Sequence, residues 1–466
     1  MKKLALDVIL ASAIAAMGLL SSTALVSTPV SARIDSIASQ ANASARLNQH
    51  QTRRAQMRPE NFDLALYPVV DANERYWISL LWDTGIVEPQ TEYVAKALGD
   101  ILALTTTPNL SESQSRIVHA TMQVGTQLYA SNPALSTPIR DAFLQTIDRG
   151  LDPEWVAMSL SGLSKGGMAV KELAQLSDRV KQRFPSWSQN VYLYTTMREI
   201  EAMGSPSAIP PLNDLLNWTV VPGQFQLYAI CQQNRQVLCQ AVVKDRNGEF
   251  VQENGKLWSV PLLLRSLHHL SWNFTRGQTP QGIYRIEGTV PQPDTEYFRA
   301  YGQFPLVKLF VPFEAGVKEF LPGRKGGFRE SIQAYQALLP PSWQTYFPMQ
   351  QTYWAGMSGR SLFRIHGSGE AATYFPGNRT QFGNNTWSPT IGCLSALELY
   401  DDRGNLSQAD MPRILSTLTT LGEGNLSGYL IVVEVPGDAQ NPISLETIQA
   451  EIAAQPRAQV NQSRLP

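Results

Sequence analysis

Phe225-Gln-Leu-Tyr-Ala-Ile-Cys231-Gln-Gln-Asn-Arg235-Gln-Val-Leu-Cys239-Gln-Ala-Val-Val243 is where the chain changes character. Two β-rich runs, residues 225–231 and 237–243, flank Gln-Asn-Arg, and Asn247-Gly248 follows as a hairpin turn signal. Cys231 and Cys239 each lie four residues from Arg235. A three-residue loop centred on Arg235 sets them opposite each other, with Cβ atoms about 4.5–5.5 Å apart, within reach of a cross-strand disulfide. Two free cysteines buried as small hydrophobes are the competing reading.

Downstream, residues 283–286, 306–311, 362–365 and 429–435 are further short β-rich runs, and helical patterns return only near 329–339 and 410–421. This predicts a mainly β domain over residues 223–436 and a polar C-terminal tail over 437–466. Upstream the pattern is helical. Val94, Leu98, Ile101 and Leu102 fall at helical spacing, Asp152-Pro153 is a helix start, and Gly204 is a helix stop. Residues 61–220 are expected to form an all-α domain of about six helices packed as antiparallel pairs, with no fixed repeat period. Residues 33–60, rich in Ala, Ser, Gln, Asn and Arg, read as a flexible linker. Lys2 and Lys3, the apolar run that follows, and Val30-Ser31-Ala32 read as a secretory signal over residues 1–32. An uncleaved anchor is the alternative, although the run falls short of the ~20 residues that span a bilayer. The mature chain is expected to be exported to the periplasm or cell envelope, with no membrane span.

Composition narrows the function. The 466 residues carry 38 Lys+Arg against 39 Asp+Glu, a formal net charge of −1, which excludes a generally basic nucleic-acid binder. Three cysteines are too few for a disulfide scaffold or a four-Cys zinc site. No metal, nucleotide or flavin motif is present, and no cofactor is expected. Cys393, in Ser388-Pro-Thr-Ile-Gly-Cys-Leu, has no pairing partner, and an odd cysteine in an exported chain reads as a reactive thiol. Such a thiol needs a base. Of five histidines, His366 ends a strand and precedes Gly367, a rigid support at a domain rim; His50, His119, His268 and His269 lie in the linker, on a helix, or among apolar residues.

Thr279-Pro-Gln-Gly282-Ile-Tyr284, then Ile365-His366-Gly367, then Thr390-Ile-Gly392-Cys393-Leu394, in this order, resemble the L,D-transpeptidase catalytic domain. The resemblance covers roughly residues 225–435. It implies a mixed β fold that joins peptidoglycan stem peptides, with Cys393 as nucleophile and His366 as base. The backbone carbonyl of Gly367 would hold the imidazole tautomer, and the N–H groups of Gly392 and Cys393 would form the oxyanion hole. Thr279, Pro280, Gly282 and Tyr284 would shape the start of a core strand, and Thr390, Ser395, Trp387 and Tyr374 would meet the substrate. The sequence departs from the family pattern at Ile391, where His is usual, and at Ser395, where Arg or Asn is usual. Cys393 lies 27 positions after His366, a longer spacing than usual, and the insertion is expected to act as a lid or substrate wall. An L,D-carboxypeptidase and a non-catalytic envelope scaffold are the alternatives to a transpeptidase. The helical domain is expected either to bind an envelope protein or glycan, or to hold the catalytic unit away from the membrane.

Overall fold

A computed structural model describes residues 42–454, apart from 234, 236, 293–301, 368–379, 383–384, 388 and 438–440. The expected signal lies outside these residues. Among the described residues no helix is long and apolar enough to cross a membrane.

The N-terminal region is helical. Helices Glu74–Val87, Glu92–Leu102, Glu112–Ser131, Thr137–Arg149, Pro153–Lys165, Val170–Arg183 and Val191–Gly204 pack around one core holding Trp77, Leu98, Ile117, Phe143 and Leu160. Their starts follow local chemistry. Asp152 accepts from the Glu154 N–H at 2.7 Å, and Ser111 with Gln114 forms a reciprocal capping box.

The C-terminal region carries strands β1 (Phe225–Gln232), β2 (Cys239–Lys244), β3 (Gln252–Glu253), β4 (Lys256–Leu257), β5 (Ser259–Leu263), β6 (Gly282–Val290), β7 (Leu306–Phe310), β8 (Phe363–Gly367), β9 (Thr380–Phe382), β10 (Asn385–Trp387), β11 (Leu394–Ala396), β12 (Glu398–Tyr400), β13 (Leu406–Ala409) and β14 (Ser427–Val435). Eight of them close into a barrel in the order β1-β14-β6-β7-β8-β11-β5-β2. The barrel is mixed: β1 runs parallel to β14, and β8 parallel to β11. Period-2 alternation sends Leu227, Val243, Leu262, Ile286, Leu309, Ile365, Leu394 and Leu430 into one cluster fed by all eight strands. The other face of β1, β6 and β14 is covered by the Leu212–Asn217, Ile332–Gln336 and Leu445–Ala453 helices, with Trp343 and Tyr335 fully buried between. Cys231 and Cys239 flank the β1–β2 turn, with Ile230 paired to Gln240, and are joined as a disulfide.

Two expectations are corrected. The stretch read as a flexible linker contains the helix Ala43–Gln56, which buries Arg46, His50 and Arg53; Arg53 pairs with Asp83 at 3.0 Å. Its inward face is made of long polar side chains, so it carries no apolar period. The tail read as merely polar contains the Leu445–Ala453 helix, capped by Ser444 and anchored by the buried Ile443 and Ile448.

The two regions share a core. After β5, residues 264–278 leave the barrel and run against the helices. Leu270 and Phe274 are buried in the helical core. Around them His268 Nδ1 lies 2.9 Å from Gln127 Oε1, the hydroxyls of Ser271 and Ser161 are 2.9 Å apart, and Asn273 donates to Thr195 at 2.8 Å. Burial and the neighbouring Arg276 push His268 down to about 3, so its imidazole is neutral and serves the packing.

Candidate active site

β8 positions the base. Its alternation sends Phe363 and Ile365 into the barrel cluster and places Arg364 and His366 together on the other face. His366 is 4% exposed, and its Nδ1 donates to the Gly367 carbonyl at 2.6 Å, which puts the ring proton on Nδ1 and makes Nε2 the basic nitrogen. Burial lowers its pKa below the ordinary value, with the Gly367 bond opposing, so the ring is neutral at pH 7. A side chain at Gly367 would strike Glu398 Oε2.

The nucleophile follows a tight loop ahead of β11. Gly392 has φ +121, a conformation L side chains avoid, and an added Cβ would lie 2.5 Å from Arg360 and 2.9 Å from the Gly277 carbonyl. Thr279 donates to the Gly392 carbonyl at 2.9 Å, and Thr390 donates to the Cys393 carbonyl at 2.7 Å. The loop is also pinned through its backbone, by Leu267 N–H to the Thr390 carbonyl at 2.7 Å and Thr390 N–H to the Arg265 carbonyl at 3.0 Å. Tyr284 donates to Pro280 O at 2.7 Å, closing the turn into β6 that carries Thr279.

Cys393 is partly accessible, and its thiol lies 3.8 Å from the Leu362 carbonyl. Burial pushes the thiol up; the Arg364 backbone N–H and the charges of Arg364 and Arg360 pull it down, and burial wins. The thiol of Cys393 and the imidazole of His366 are therefore both neutral at rest. Leu362 is held at φ +65 with 67% exposure, and Glu314 accepts from its N–H at 3.0 Å. Strained, exposed apolar residues of this kind concentrate at ligand sites.

His366 and Cys393 line one cavity of about 460 Å³. Thr390, Ile391, Gly392, Phe363 and Leu362 form part of the wall from the barrel, with Val290 of β6 and Leu306 of β7; Leu267, Thr275 and Arg276 come from the segment after β5, and Trp82 comes from the Glu74–Val87 helix. The helical region, whose role was expected to lie outside the chemistry, thus forms part of the cavity. Arg360 donates to the carbonyls of Trp272, of Gln278 at 2.7 Å and of Gly277 at 2.9 Å, and stacks 4.6 Å over Phe363.

Of the expected site residues, Cys393, His366, Thr390 and Gly392 line this one cavity, and Gly367 meets it through its carbonyl on His366. Ser395 does not reach the cavity: it is 0% exposed within β11, between His366 on β8 and Leu263 on β5. Its expected contact with substrate is corrected, since the residue two positions after the nucleophile is already inside the sheet. The oxyanion expectation changes at Gly392, whose N–H donates to Thr390 Oγ1 at 3.2 Å. Tyr374 lies outside the described residues, and Trp387 is placed by its backbone alone, on β10. Sequence reading missed Trp82, Arg276, Arg360 and Arg364. For Arg364 a signal existed: in Phe-Arg-Ile-His it shares the strand face of His366. Arg276 and Trp82 had none, because no local pattern reports a contact across the domain boundary.

Comparison of this chain with protein-family models, with curated proteins and with solved structures returns no match.

Proposed function

We propose that this protein is an L,D-transpeptidase-like cysteine acyl-transferase that acts on peptidoglycan stem peptides in the cell envelope. The observation that carries the reading is the pairing of His366 and Cys393 on one 460 Å³ cavity, with the imidazole tautomer set by Gly367. His366 Nε2 takes the thiol proton as Cys393 attacks the carbonyl that joins an L-centre to the terminal D-residue. The Cys393 N–H is the oxyanion donor, because the Gly392 N–H is engaged by Thr390. One well-aimed donor is worth about 2.7–4 kcal/mol. Collapse of the tetrahedral adduct breaks the C–N bond, and the imidazolium returns its proton to the departing amine. The acyl group remains on Cys393 as a thioester. An amine of a second stem resolves it by forming the crosslink amide and freeing the thiol; water resolving it would give L,D-carboxypeptidase activity.

Mass spectrometry of products from tetrapeptide peptidoglycan fragments tests this. Crosslinked dimers expected with the wild type and absent with Cys393→Ala support transpeptidation, and tripeptides alone support the carboxypeptidase. No product from any stem peptide overturns both. The engaged Gly392 N–H is the observation that favours a scaffold role instead; a scaffold would keep its biological function in the Cys393→Ala strain.

A further inference from the structure

Glu314 is a buried acid that the acyl-transfer reading leaves unused. It is 8% exposed and sits in the turn after β7, where Phe313 is left-handed at φ +66. Its two oxygens serve two chain segments. Oε2 accepts from the Val311 N–H at 3.2 Å, and Oε1 accepts from the Leu362 N–H at 3.0 Å. Both donors lie just beyond the β7–β8 ladder, whose last pair is Leu309 with Phe363. Backbone donors at the end of a ladder need acceptors, and one carboxyl group satisfies both. Burial raises its pKa, while the two N–H groups and the charge of Arg364 pull it down. Acceptance on both oxygens is the bonding of the ionised form.

The bond to Leu362 does more than close the ladder. A leucine at φ +65 is strained, and a side chain 67% exposed brings little packing to hold it there. The Leu362 carbonyl lies 3.8 Å from Cys393 Sγ, and the backbone N–H of Arg364, two residues on, donates to the same sulfur. One short stretch thus offers the sulfur an acceptor for its proton and a donor for its negative charge. The carbonyl favours the thiol, and the N–H favours the thiolate. Arg364 is fixed within β8 by its pairing with Lys308; Leu362, ahead of the strand, is tied by its bond to Glu314. The other charged or titratable groups around the thiol are Arg276, Arg360 and His366 on the same cavity and Tyr284 of β6, while Glu314 faces Arg364.

We propose that Glu314 is a positioning residue for the nucleophile: it holds Leu362 in the left-handed turn that aims the Leu362 carbonyl at the Cys393 sulfur. This rests on Cys393 being the nucleophile of the proposed acyl transfer. The aimed carbonyl keeps the resting thiol protonated and oriented. Without Glu314, Leu362 relaxes to negative φ and its carbonyl leaves the sulfur. The N–H and guanidinium of Arg364 then act on the thiol unopposed, so it ionises at lower pH and is no longer oriented for attack.

Alkylation of Cys393 tests this without any substrate. The rate of iodoacetamide adduct formation is read against pH by intact-protein mass spectrometry; Cys231 and Cys239 are joined as a disulfide, so the label reports Cys393. Glu314→Gln, whose amide offers one acceptor oxygen where two are needed, should move the midpoint about one pH unit lower. Part of that shift comes from the charge that Arg364 no longer faces, and a second substitution separates it. Glycine takes positive φ without strain. Glu314→Gln combined with Leu362→Gly should therefore recover most of the shift, and Leu362→Gly alone should leave the midpoint in place. Should Glu314→Gln lose its near-UV circular dichroism, Glu314→Asp, which reaches only one of the two N–H groups, reads the same midpoint and should lower it less. A midpoint unchanged or raised in a folded Glu314 variant, or a shift that Leu362→Gly does not restore, overturns the proposal. Turnover assays then distinguish the two readings. A lowered and restorable midpoint without product from any stem peptide rejects the acyl transfer alone, and product with an unmoved midpoint rejects the positioning role alone.

Discussion

At the site, the direction of two pKa shifts decides how the thiol is activated. Cys393 is pushed above the ordinary thiol value of about 8.5 and His366 below the ordinary imidazole value of about 6.5, so neither is charged at rest. General-base attack from the neutral pair needs a deprotonated imidazole and a protonated thiol. The acid limb of kcat/KM should therefore fall below pH 6.5, and iodoacetamide alkylation of Cys393 should keep rising past pH 8.5. An acid limb above pH 7 would instead indicate a preformed thiolate–imidazolium pair. Gly392 is the other sensitive residue. Gly392→Ala combines φ +121 with contacts to Arg360 and the Gly277 carbonyl. The strain alone is of order 1–3 kcal/mol. The loop must move, and we expect at least a hundred-fold loss of kcat with Tm lowered by only a few degrees; retained kcat would show that the loop geometry is dispensable.

Among the elements, the short strand after the nucleophile carries a second pressure point. Glu398 on β12 is 0% exposed; it accepts from the Gln303 N–H at 2.7 Å and from Tyr400, while Oε2 has no hydrogen-bond partner among the described residues and faces Gly367 and Gly302. Burial raises its pKa from 4.5 to about 7. A carboxyl whose folded pKa lies above its unfolded value favours the folded state fully below pH 4.5, and that contribution is lost as pH rises through 7. The loss is about 3 kcal/mol at 1.36 kcal/mol per pKa unit. Glu398→Gln should therefore raise Tm relative to wild type at pH 8 and leave it nearly unchanged at pH 5; equal effects at both pH values would contradict the assignment. Most of the elements were legible in the sequence. The run 225–243 showed the first hairpin and the cysteine register, because alternation and turn residues are local signals. The Ala43–Gln56 helix was not legible, since Arg46, His50 and Arg53 make its buried face. Nor was Glu398, because a buried acid looks like any other acid in a β-rich run.

Across the whole molecule, the sequence showed a helical half and a β half but not that residues 264–278 join them. Ser-Leu-His-His-Leu-Ser-Trp-Asn-Phe, residues 266–274, has no clean helical or strand period, and its meaning lies in partners more than a hundred positions away, such as Ser161 for Ser271. The two halves should unfold together. Leu270→Ala, made at a 0% exposed position on the barrel side of the sequence, should cost about 2–5 kcal/mol. It should shift the helical far-UV signal and the aromatic near-UV signal to the same lower urea midpoint. Two separated transitions would show that the halves are independent.

The central claim is that Cys393 forms an acyl-enzyme with a peptide stem, and intact-protein mass spectrometry reads it directly. After mixing with a tetrapeptide stem and rapid acid quench, the wild type should gain the mass of the tripeptide acyl group at Cys393, removable by hydroxylamine. His366→Ala should form it far more slowly, and Cys393→Ala should form none. No adduct with any stem peptide, or an adduct that survives in Cys393→Ala, would contradict the account.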